Sequence, residues 1–329
     1  MSEPMIHPIA KRFGIKISRQ KKIRGGIYRI VTSSGKTFSL KRMPKRRLKW
    51  IDRVLLRIRR NGSLVAWRDP NTPEGRKPYV TSRNGEHYVL TPWISGRKPS
   101  PRSLSDMRAC GIALARFHIA GRAGIKGKIA YSDIGSWYST LRDREGSIKN
   151  KIAKARRNGF SLPINRFIKQ HGSEILRYSN QAKVLLRNSG YHLYRNSRKN
   201  GVLCHGDGGP SNFILNKKGT YLIDFETVHV NLRAYDLYRV IYNSCKDYGW
   251  NFSIASAILD GYRHVSKLHK NDIKLMRAWL RFPLTTYFVF SPTNRFPFTK
   301  SWLKRALESE RKMGPFLMKL DNYAEKNCS

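Results

Sequence analysis

The sequence contains little cysteine and no long hydrophobic run. Only four of its 329 residues are cysteine, and none of them forms a Cys-x-x-Cys pair. We therefore expect reduced thiols, with neither a disulfide framework nor a zinc site. No segment approaches the roughly eighteen consecutive apolar residues that a membrane span needs, and no apolar segment follows the basic start of the chain. These absences predict a protein with neither a membrane span nor an export signal.

Acidic residues are also scarce. The chain has 21 Asp and Glu against 65 Lys and Arg, which gives a formal net charge of +44. A surface with that charge attracts polyanions whatever fold carries it. The zinc-finger spacings, base-stacking aromatic motifs and basic heptad repeats that read nucleic acids are missing from the sequence. The composition therefore predicts acidic partners or other polyanions, and no specific recognition of nucleic acid.

Alternating apolar residues in the first part of the chain predict a small β-sheet. Residues 27–31 and 37–41 alternate on either side of a Ser-Ser-Gly turn, which predicts a β-hairpin. Apolar residues then recur at helical spacing over 44–61. Two further strands are predicted at 79–81 and 87–90. The predicted order is β-β-α-β-β, and the fold class we expect is α+β.

Helical patterns dominate the rest of the chain. A stretch that contains Pro, Gly and Ser follows the predicted strands and extends to Pro101, which predicts a boundary between two units, 1–93 and 94–329. Apolar side chains from Met107 to Phe117 recur at helical spacing, and Gly121 is predicted to cap the end of that helix. From Tyr235 onward the pattern is again mostly helical. We therefore expect a larger, mainly helical second unit.

Two short apolar strands, at 202–204 and 221–223, flank the densest group of candidate catalytic residues. Asp207 and Asn212 lie in the turn after the first strand, and Asp224 directly follows the second. Carboxylate and amide oxygens are ligands that Mg²⁺ accepts together with phosphate oxygens. We predict that Asn212 and Asp224 bind the metal, which leaves Asp207 to accept a proton from an incoming hydroxyl.

Each of these residues also has a simpler interpretation. Asp207 and Asn212, taken singly, are typical of a turn, because Asp, Asn, Gly and Pro dominate turns for backbone reasons. Their combination with Asp224 favours a site. His205, in the same turn, is expected to pack and hydrogen-bond within the loop rather than to carry protons.

These motifs resemble the phosphotransferase family of aminoglycoside and choline kinases, a branch of the protein-kinase-like fold. The residues that carry the resemblance are His205-Gly206-Asp207 through Asn212, Asp224-Phe225-Glu226 and Tyr235-Asp236-Leu237. More narrowly, the chain resembles the CotS family of spore coat proteins. That likeness is carried by YVLTPWISGR at 88–97, LARFH at 114–118, LCHGD at 203–207 and LRFP at 280–283. The resemblance implies a bilobal fold, with a small N-terminal β-sheet lobe that holds one helix and a larger, mainly helical C-terminal lobe.

The resemblance also implies roles for single residues in ATP- and Mg²⁺-dependent phosphoryl transfer. Lys41 would contact the α- and β-phosphates of ATP, and Asp207 would be the catalytic base. Asn212 and Asp224 would hold Mg²⁺. Asp236 would brace the catalytic loop from below.

The nucleotide base would meet a linker between the two lobes. Thr91 and Trp93 lie in that linker, whose backbone would face adenine, and Ile214 would pack under the ring. Gly25 and Gly26 stand where a phosphate-covering loop belongs, although two glycines match a glycine-rich loop only weakly.

Lys41 departs from the family pattern in its surroundings. Phe38 and Leu40 share one face of the predicted strand, and alternation places Lys41 on the other face. That face meets either solvent or a cleft. A kinase lysine is normally oriented by a glutamate on the next helix, but the only acid in residues 44–60 is Asp52, which is short. We therefore expect Lys41 to lack a partner. Whether the chain is an enzyme is left open, and the alternative is a catalytically silent kinase-fold scaffold that binds acidic partners in spore coat assembly.

The first part of the C-terminal unit, where a phosphoryl acceptor would bind, is poor in carboxylates. Residues 94–200 contain only five acidic residues: Asp106, Asp133, Asp143, Glu145 and Glu174. A cationic acceptor would need clustered carboxylates to offset its desolvation, so an anionic or neutral hydroxyl compound fits better. The CotS resemblance implies a location in the mother-cell cytoplasm and the spore coat of an endospore-forming bacterium.

Overall fold

The computed structural model describes residues 6–122, 131–157, 163–196, 198–290 and 298–329. Its N-terminal part is an antiparallel sheet of five strands in the order β1-β2-β3-β5-β4, with two helices. The elements are α1 (Ile6–Arg12), β1 (Ile17–Arg24), β2 (Ile27–Thr32), β3 (Thr37–Arg42), α2 (Lys45–Arg60), β4 (Val80–Thr81) and β5 (His87–Pro92).

The predicted hairpin and helix are confirmed, whereas α1 and β1 were not predicted. All residues of β1 after Ile17 are exposed, so its sequence shows no alternation of apolar and polar residues. Strand β3 alternates as predicted, with Phe38 and Leu40 buried in a cluster that includes α1. The opposite face of β3 turns Ser39 and Lys41 toward a cleft rather than toward bulk solvent.

The C-terminal part is mainly helical, as predicted. Its helices are α3 (Leu104–Arg122), α4 (Trp137–Arg157), α5 (Pro163–Asn188), α6 (Tyr191–Tyr194), α7 (Arg233–Cys245), α8 (Phe252–Val265), α9 (Lys270–Arg281), α10 (Leu284–Phe290), α11 (Lys300–Arg311) and α12 (Met313–Asn327). Four short strands form two antiparallel pairs, β6 (Gly201–Cys204) with β9 (His229–Leu232) and β7 (Phe213–Asn216) with β8 (Gly219–Leu222).

Helix α3 passes through the centre of the C-terminal part and depends on glycine for its packing. A Cβ at Gly111 would lie 2.0 Å from the carbonyl oxygen of Ile258 on α8, and one at Gly261 would lie 2.0 Å from that of Arg108. The predicted cap at Gly121 is wrong, because α3 continues to Arg122. Gly121 instead lets the helix approach β6, where a Cβ would lie 2.8 Å from that of Leu203.

Two short backbone ladders attach neighbouring segments to the strand pair β7–β8. The amide of Ala66 donates to the carbonyl of Leu222 at 2.9 Å, and the amide of Leu222 donates to that of Leu64 at 2.9 Å. Arg97 and Leu215 exchange a second pair of backbone hydrogen bonds, at 3.0 and 2.8 Å. The first ladder ties the segment after α2 to β8, and the second holds residue 97, just after the linker, against β7. In the described ranges, no helix is both long enough and apolar enough to cross a membrane.

Candidate active site

A cleft of about 440 Å³ lies between the N-terminal sheet and the strand pair β7–β8. Apolar side chains from both parts, among them Val89, Ile214 and Ile223, form much of its wall. Its volume is in the range of ordinary small-molecule sites. The wall also includes six residues that the sequence singled out: Lys41, Thr91, Trp93, Asn212, Ile214 and Asp224.

Lys41 is held by two carboxylates of the C-terminal part. Its Nζ lies 2.5 Å from Oδ1 of Asp224 and 2.8 Å from Oε1 of Glu226, and only 15% of the side chain is exposed. The expectation that Lys41 lacks a partner is therefore wrong. Asp52 of α2 is directed elsewhere, because its two oxygens accept hydrogen bonds from the guanidinium of Arg68 at 2.6 Å each.

The turn after β6 presents Asp207 beside Asn212. The side-chain amide of Asn212 donates to the backbone carbonyl of Asp207 at 2.7 Å and to its Oδ2 at 3.3 Å. Because the amide nitrogen is used in this way, the amide oxygen is left for another ligand. Gly206 has a φ of +83°, and a Cβ there would lie 2.5 Å from the carbonyl oxygen of Thr227. Only glycine fits that position, which directs the carboxylate of Asp207 outward with 48% of it exposed.

Asp236 lies beneath this turn, fully buried at the start of α7. Its Oδ2 accepts the backbone amide of His205 at 2.6 Å and its Oδ1 accepts that of Gly206 at 2.8 Å. The ring of His118 donates a third hydrogen bond at 3.0 Å. Burial alone would raise the pKa of Asp236, but these hydrogen bonds and the neighbouring histidines hold it below its usual value. The ionised carboxylate therefore fixes the backbone of the turn.

His205 is part of the core, as its expected packing role requires. Its ring is completely buried and contacts Phe117 and Phe225. Nε2 donates to the carbonyl of Ile223 at 2.8 Å, so Nδ1 is the acceptor that faces the amide of Asp207 at 3.4 Å. One histidine thus ties the turn that carries Asp207 to the strand end that carries Asp224.

Three buried side chains near the turn, His118, Cys204 and Asp236, place potential metal ligands within 4.8 Å of one another. Each is already engaged, since His118 bridges the Tyr262 hydroxyl and Asp236. Burial raises the pKa of the Cys204 thiol well above its usual value, so the ligating thiolate is disfavoured. The cluster supports the turn by hydrogen bonding.

The linker predicted to face adenine lines the cleft, but one of its backbone N–H groups already donates a hydrogen bond within the protein. The amide of Trp93 donates to the carbonyl of Thr37 at 3.0 Å, and the guanidinium of Arg29 lies 5.2 Å from the centre of its indole ring. The Trp93 amide is therefore not available to a ligand. Thr91 and Ile214 line the same cleft.

Two basic side chains that the sequence interpretation overlooked also reach the acidic groups. Arg239 on α7 places Nη2 2.6 Å from Oδ1 of Asp207, and Arg24 at the end of β1 places Nη2 3.5 Å from Oδ2 of Asp224. A sequence signal for Arg239 existed, because residues three apart on a helix share a face and Arg239 follows Asp236 at that spacing. The turn that carries Asp207 thus has a cation beside its carboxylate.

Comparisons with known proteins place these residues in a family context. The sequence matches the model of the phosphotransferase enzyme family over residues 26–269. A search of curated proteins finds no match.

Solved structures with the same fold were found at low sequence identity. An aminoglycoside phosphotransferase from Alicyclobacillus acidocaldarius is 18% identical over 99% of this chain and 98% of its own, with a TM-score of 0.77. A spectinomycin phosphotransferase, solved with ADP and spectinomycin, is 14% identical over 95% of both chains, with a TM-score of 0.58. A choline/ethanolamine kinase family protein from Mesorhizobium loti is 14% identical over 93% of both chains, with a TM-score of 0.54. The expected α+β fold, with an N-terminal antiparallel sheet and a larger helical C-terminal part, is confirmed.

Proposed function

Since this chain belongs to the phosphotransferase enzyme family, we propose that it transfers the γ-phosphoryl group of ATP to a hydroxyl acceptor. One observation carries the proposal. Lys41, Asn212 and Asp224 line a single cleft, and Asn212 is hydrogen-bonded to Asp207 at its edge. A lysine for the phosphates, two oxygen ligands for a cation and a carboxylate base are the groups that phosphoryl transfer requires.

We place the nucleotide along the cleft between the proposed units 1–93 and 94–329. The adenine ring would pack between Val89 and Ile214, at the edge formed by Thr91 and Trp93, and its phosphates would point toward Lys41. Two structural neighbours support this use of the fold, since the spectinomycin phosphotransferase was solved with ADP and an amicoumacin kinase with AMP-PNP and Ca²⁺.

The residues present fit Mg²⁺. Asp224 offers a carboxylate, and Asn212 offers the amide oxygen that its bond to Asp207 leaves free. A small hard cation prefers such oxygens and takes its remaining ligands from phosphate and water. When bound, Mg²⁺ would neutralise charge on the β- and γ-phosphates. Lys41, between Asp224 and Glu226, lies where it can contact the same phosphates.

Asp207 is the proposed base. It would accept the proton of the acceptor hydroxyl while the hydroxyl oxygen forms a bond to the γ-phosphorus and the bond from that phosphorus to the β-phosphate oxygen breaks. ADP leaves with the bridging oxygen. Asp236 and His205 do not take part in proton transfer, but their hydrogen bonds to the turn hold Asp207 in position.

Thermal unfolding in the presence of MgATP tests the proposal. Nucleotide at about 100 times Kd should stabilise the native chain by roughly 2.7 kcal/mol, because it binds only the folded state. The shift should require Mg²⁺ and should be lost in Asp224→Ala and Lys41→Ala. Asp143→Ala is the matched control, since Asp143 is 73% exposed and pairs only with Arg142 among the described residues.

The opposite result would favour the silent scaffold. A shift that survives Asp224→Ala and disappears at moderate salt would indicate binding through bulk charge alone. The lack of a glutamate on α2 no longer supports that alternative, because Glu226 and Asp224 hold Lys41 instead. Its remaining support is the net charge of +44.

We further propose that the protein acts as a CotS-type component of the spore coat, made in the mother-cell cytoplasm. The segments at 88–97, 114–118, 203–207 and 280–283 support this assignment, and the net charge suits acidic coat proteins or other polyanions as partners. Immunoblots of an endospore-forming host should detect the chain in coat extracts of purified spores. Its confinement to vegetative cells would contradict the assignment.

A further inference from the structure

Helices α5 and α12 border a groove on the surface of the C-terminal part. Both helices pack against α9, which contributes Arg277 and Arg281 to the lining. The groove has a volume of about 620 Å³. Its wall on α5 extends from Ser173 to Leu185, which is about 18 Å of helix. Among the described residues, the groove shares none with the wall of the nucleotide cleft, so it is a separate feature of the molecule.

Apolar side chains lie along both walls of this groove. Leu176, Val184 and Leu185 line it on α5, and Leu317 and Met318 line it on α12. Val184 is 47% exposed and Met318 is 62% exposed. Apolar side chains in contact with water gain free energy when another molecule covers them. The groove therefore favours a partner that brings apolar groups of its own.

The charged residues of the groove are all basic. Arg177, Arg277 and Arg281 line it, and none of the described lining residues is acidic. Arg277 has a carboxylate partner, because its Nη1 lies 2.9 Å from Oδ1 of Asp321. Arg177 and Arg281 instead lie over the ring of Tyr178, and neither forms a salt bridge within the described ranges. The groove therefore favours a negatively charged partner over a basic one.

Arg281 is the least exposed of these three cations, with 5% of the residue exposed. Its Nε donates to Oε1 of Gln181 at 2.7 Å, and its Nη1 donates to the backbone carbonyl of Glu310 at 3.3 Å. Both acceptors are uncharged, and burial lowers the pKa of Arg281 below its usual value. A carboxylate that entered the groove would offset part of the cost of burying this charge.

We propose that the groove binds an acidic amphipathic helix of a partner protein. The apolar face of that helix packs between α5 and α12, against Val184 and Met318, and its carboxylates pair with Arg177 and Arg281. The shape of the groove suits this occupant, because a helix about 10 Å across covers both walls along roughly three turns of α5. The inference is independent of the proposed phosphoryl transfer, since the groove lies outside the nucleotide cleft.

Calorimetric titration with designed peptides tests the proposal. The probe is a helical peptide of about fourteen residues, with leucines on one face and glutamates on the opposite face. A second peptide carries lysine in place of every glutamate. A third keeps the composition of the probe but distributes the leucines around the whole helix. At about 0.15 M salt, where exposed charges are screened, we expect a single acidic peptide to bind per chain and neither of the other peptides to bind.

Substitutions on both walls of the groove should weaken binding of the acidic peptide. Val184→Asp and Met318→Asp each place a negative charge among the apolar side chains, and each should weaken binding roughly tenfold. Arg177→Glu should weaken it about fivefold, because an attraction at an exposed site becomes a repulsion. All three residues are exposed, so thermal unfolding without peptide should remain close to that of the native chain.

Leu193→Asp and Arg187→Glu are the matched controls. Leu193 is 67% exposed, Arg187 is exposed on α5, and neither residue lines the groove. Both variants should bind the acidic peptide as the native chain does, and equal weakening in them would show an effect of bulk charge and overturn the proposal. Binding of the lysine peptide, equal binding of the third peptide, or no binding of the acidic peptide to the native chain would also overturn it. A native dimer that Val184→Asp dissociates, measured by sedimentation, would assign the groove to a second copy of the chain instead.

Discussion

Asp207→Asn should lower kcat for phosphoryl transfer by about 10² to 10⁴ while leaving the MgATP-dependent thermal shift intact. The amide keeps the shape of the carboxylate and can still pair with Asn212, but it cannot accept the hydroxyl proton. Positioned general bases contribute rate factors of that size. The measurement is ADP release with the best hydroxyl acceptor found, under saturating nucleotide, together with the thermal shift on the same preparation.

Asp143→Asn provides the comparison for this loss. It makes the same chemical change at an exposed carboxylate whose described partner is Arg142, and it should retain the native rate. A native rate in Asp207→Asn would exclude Asp207 as the base. Loss of the thermal shift along with the rate would show that the substitution disturbs the fold rather than the chemistry.

The grouping of the candidate site residues could be predicted from sequence where those residues are close along the chain. Asp207 and Asn212 belong to one turn, and Asp224 follows a short strand, so local spacing was enough to group them. The hairpin that carries Lys41 was predictable for a similar reason, because alternation over a few residues defines a half-buried strand. Strand β1 was not predicted, because both of its faces are largely exposed and its sequence shows no alternation of apolar and polar residues.

Contacts between distant segments were not predictable in this way. The family pattern places the partner of Lys41 on α2, whereas the carboxylates that hold it belong to Asp224 and Glu226. Asp52 instead accepts hydrogen bonds from the guanidinium of Arg68 and from the indole N–H of Trp67. The pairing of Arg239 with Asp207 depends equally on how α7 packs beneath the turn. The spacing from Asp236 indicates only the helix face on which Arg239 lies. A single sequence carries no direct signal for the contact with Asp207 or for the contacts of Lys41.

Asp236→Asn should destabilise the fold by about 3–5 kcal/mol, which is the range for removing one partner of a buried ionic network. The native carboxylate accepts hydrogen bonds from the amides of His205 and Gly206 and from the ring of His118. An asparagine presents an N–H to one of these donors and leaves it unpaired. Urea unfolding at neutral pH measures the loss. Asp247→Asn, an exposed carboxylate just after α7, should change stability by less than about 0.5 kcal/mol.

The pH dependence of that loss separates the charge of Asp236 from its packing. The folded-state pKa of Asp236 lies below its usual value of 3.8, so its ionised form stabilises the fold at neutral pH, and this stabilisation disappears as pH falls through the folded pKa. The difference between the native chain and Asp236→Asn should therefore be constant above about pH 5 and shrink in acid. Burial lowers the pKa of His118 in the native chain, so proton uptake by the unfolded state lowers native stability as pH falls below 6.5. A difference that persists undiminished in acid would mean that shape, and not the ionised carboxylate, holds the turn that carries Asp207.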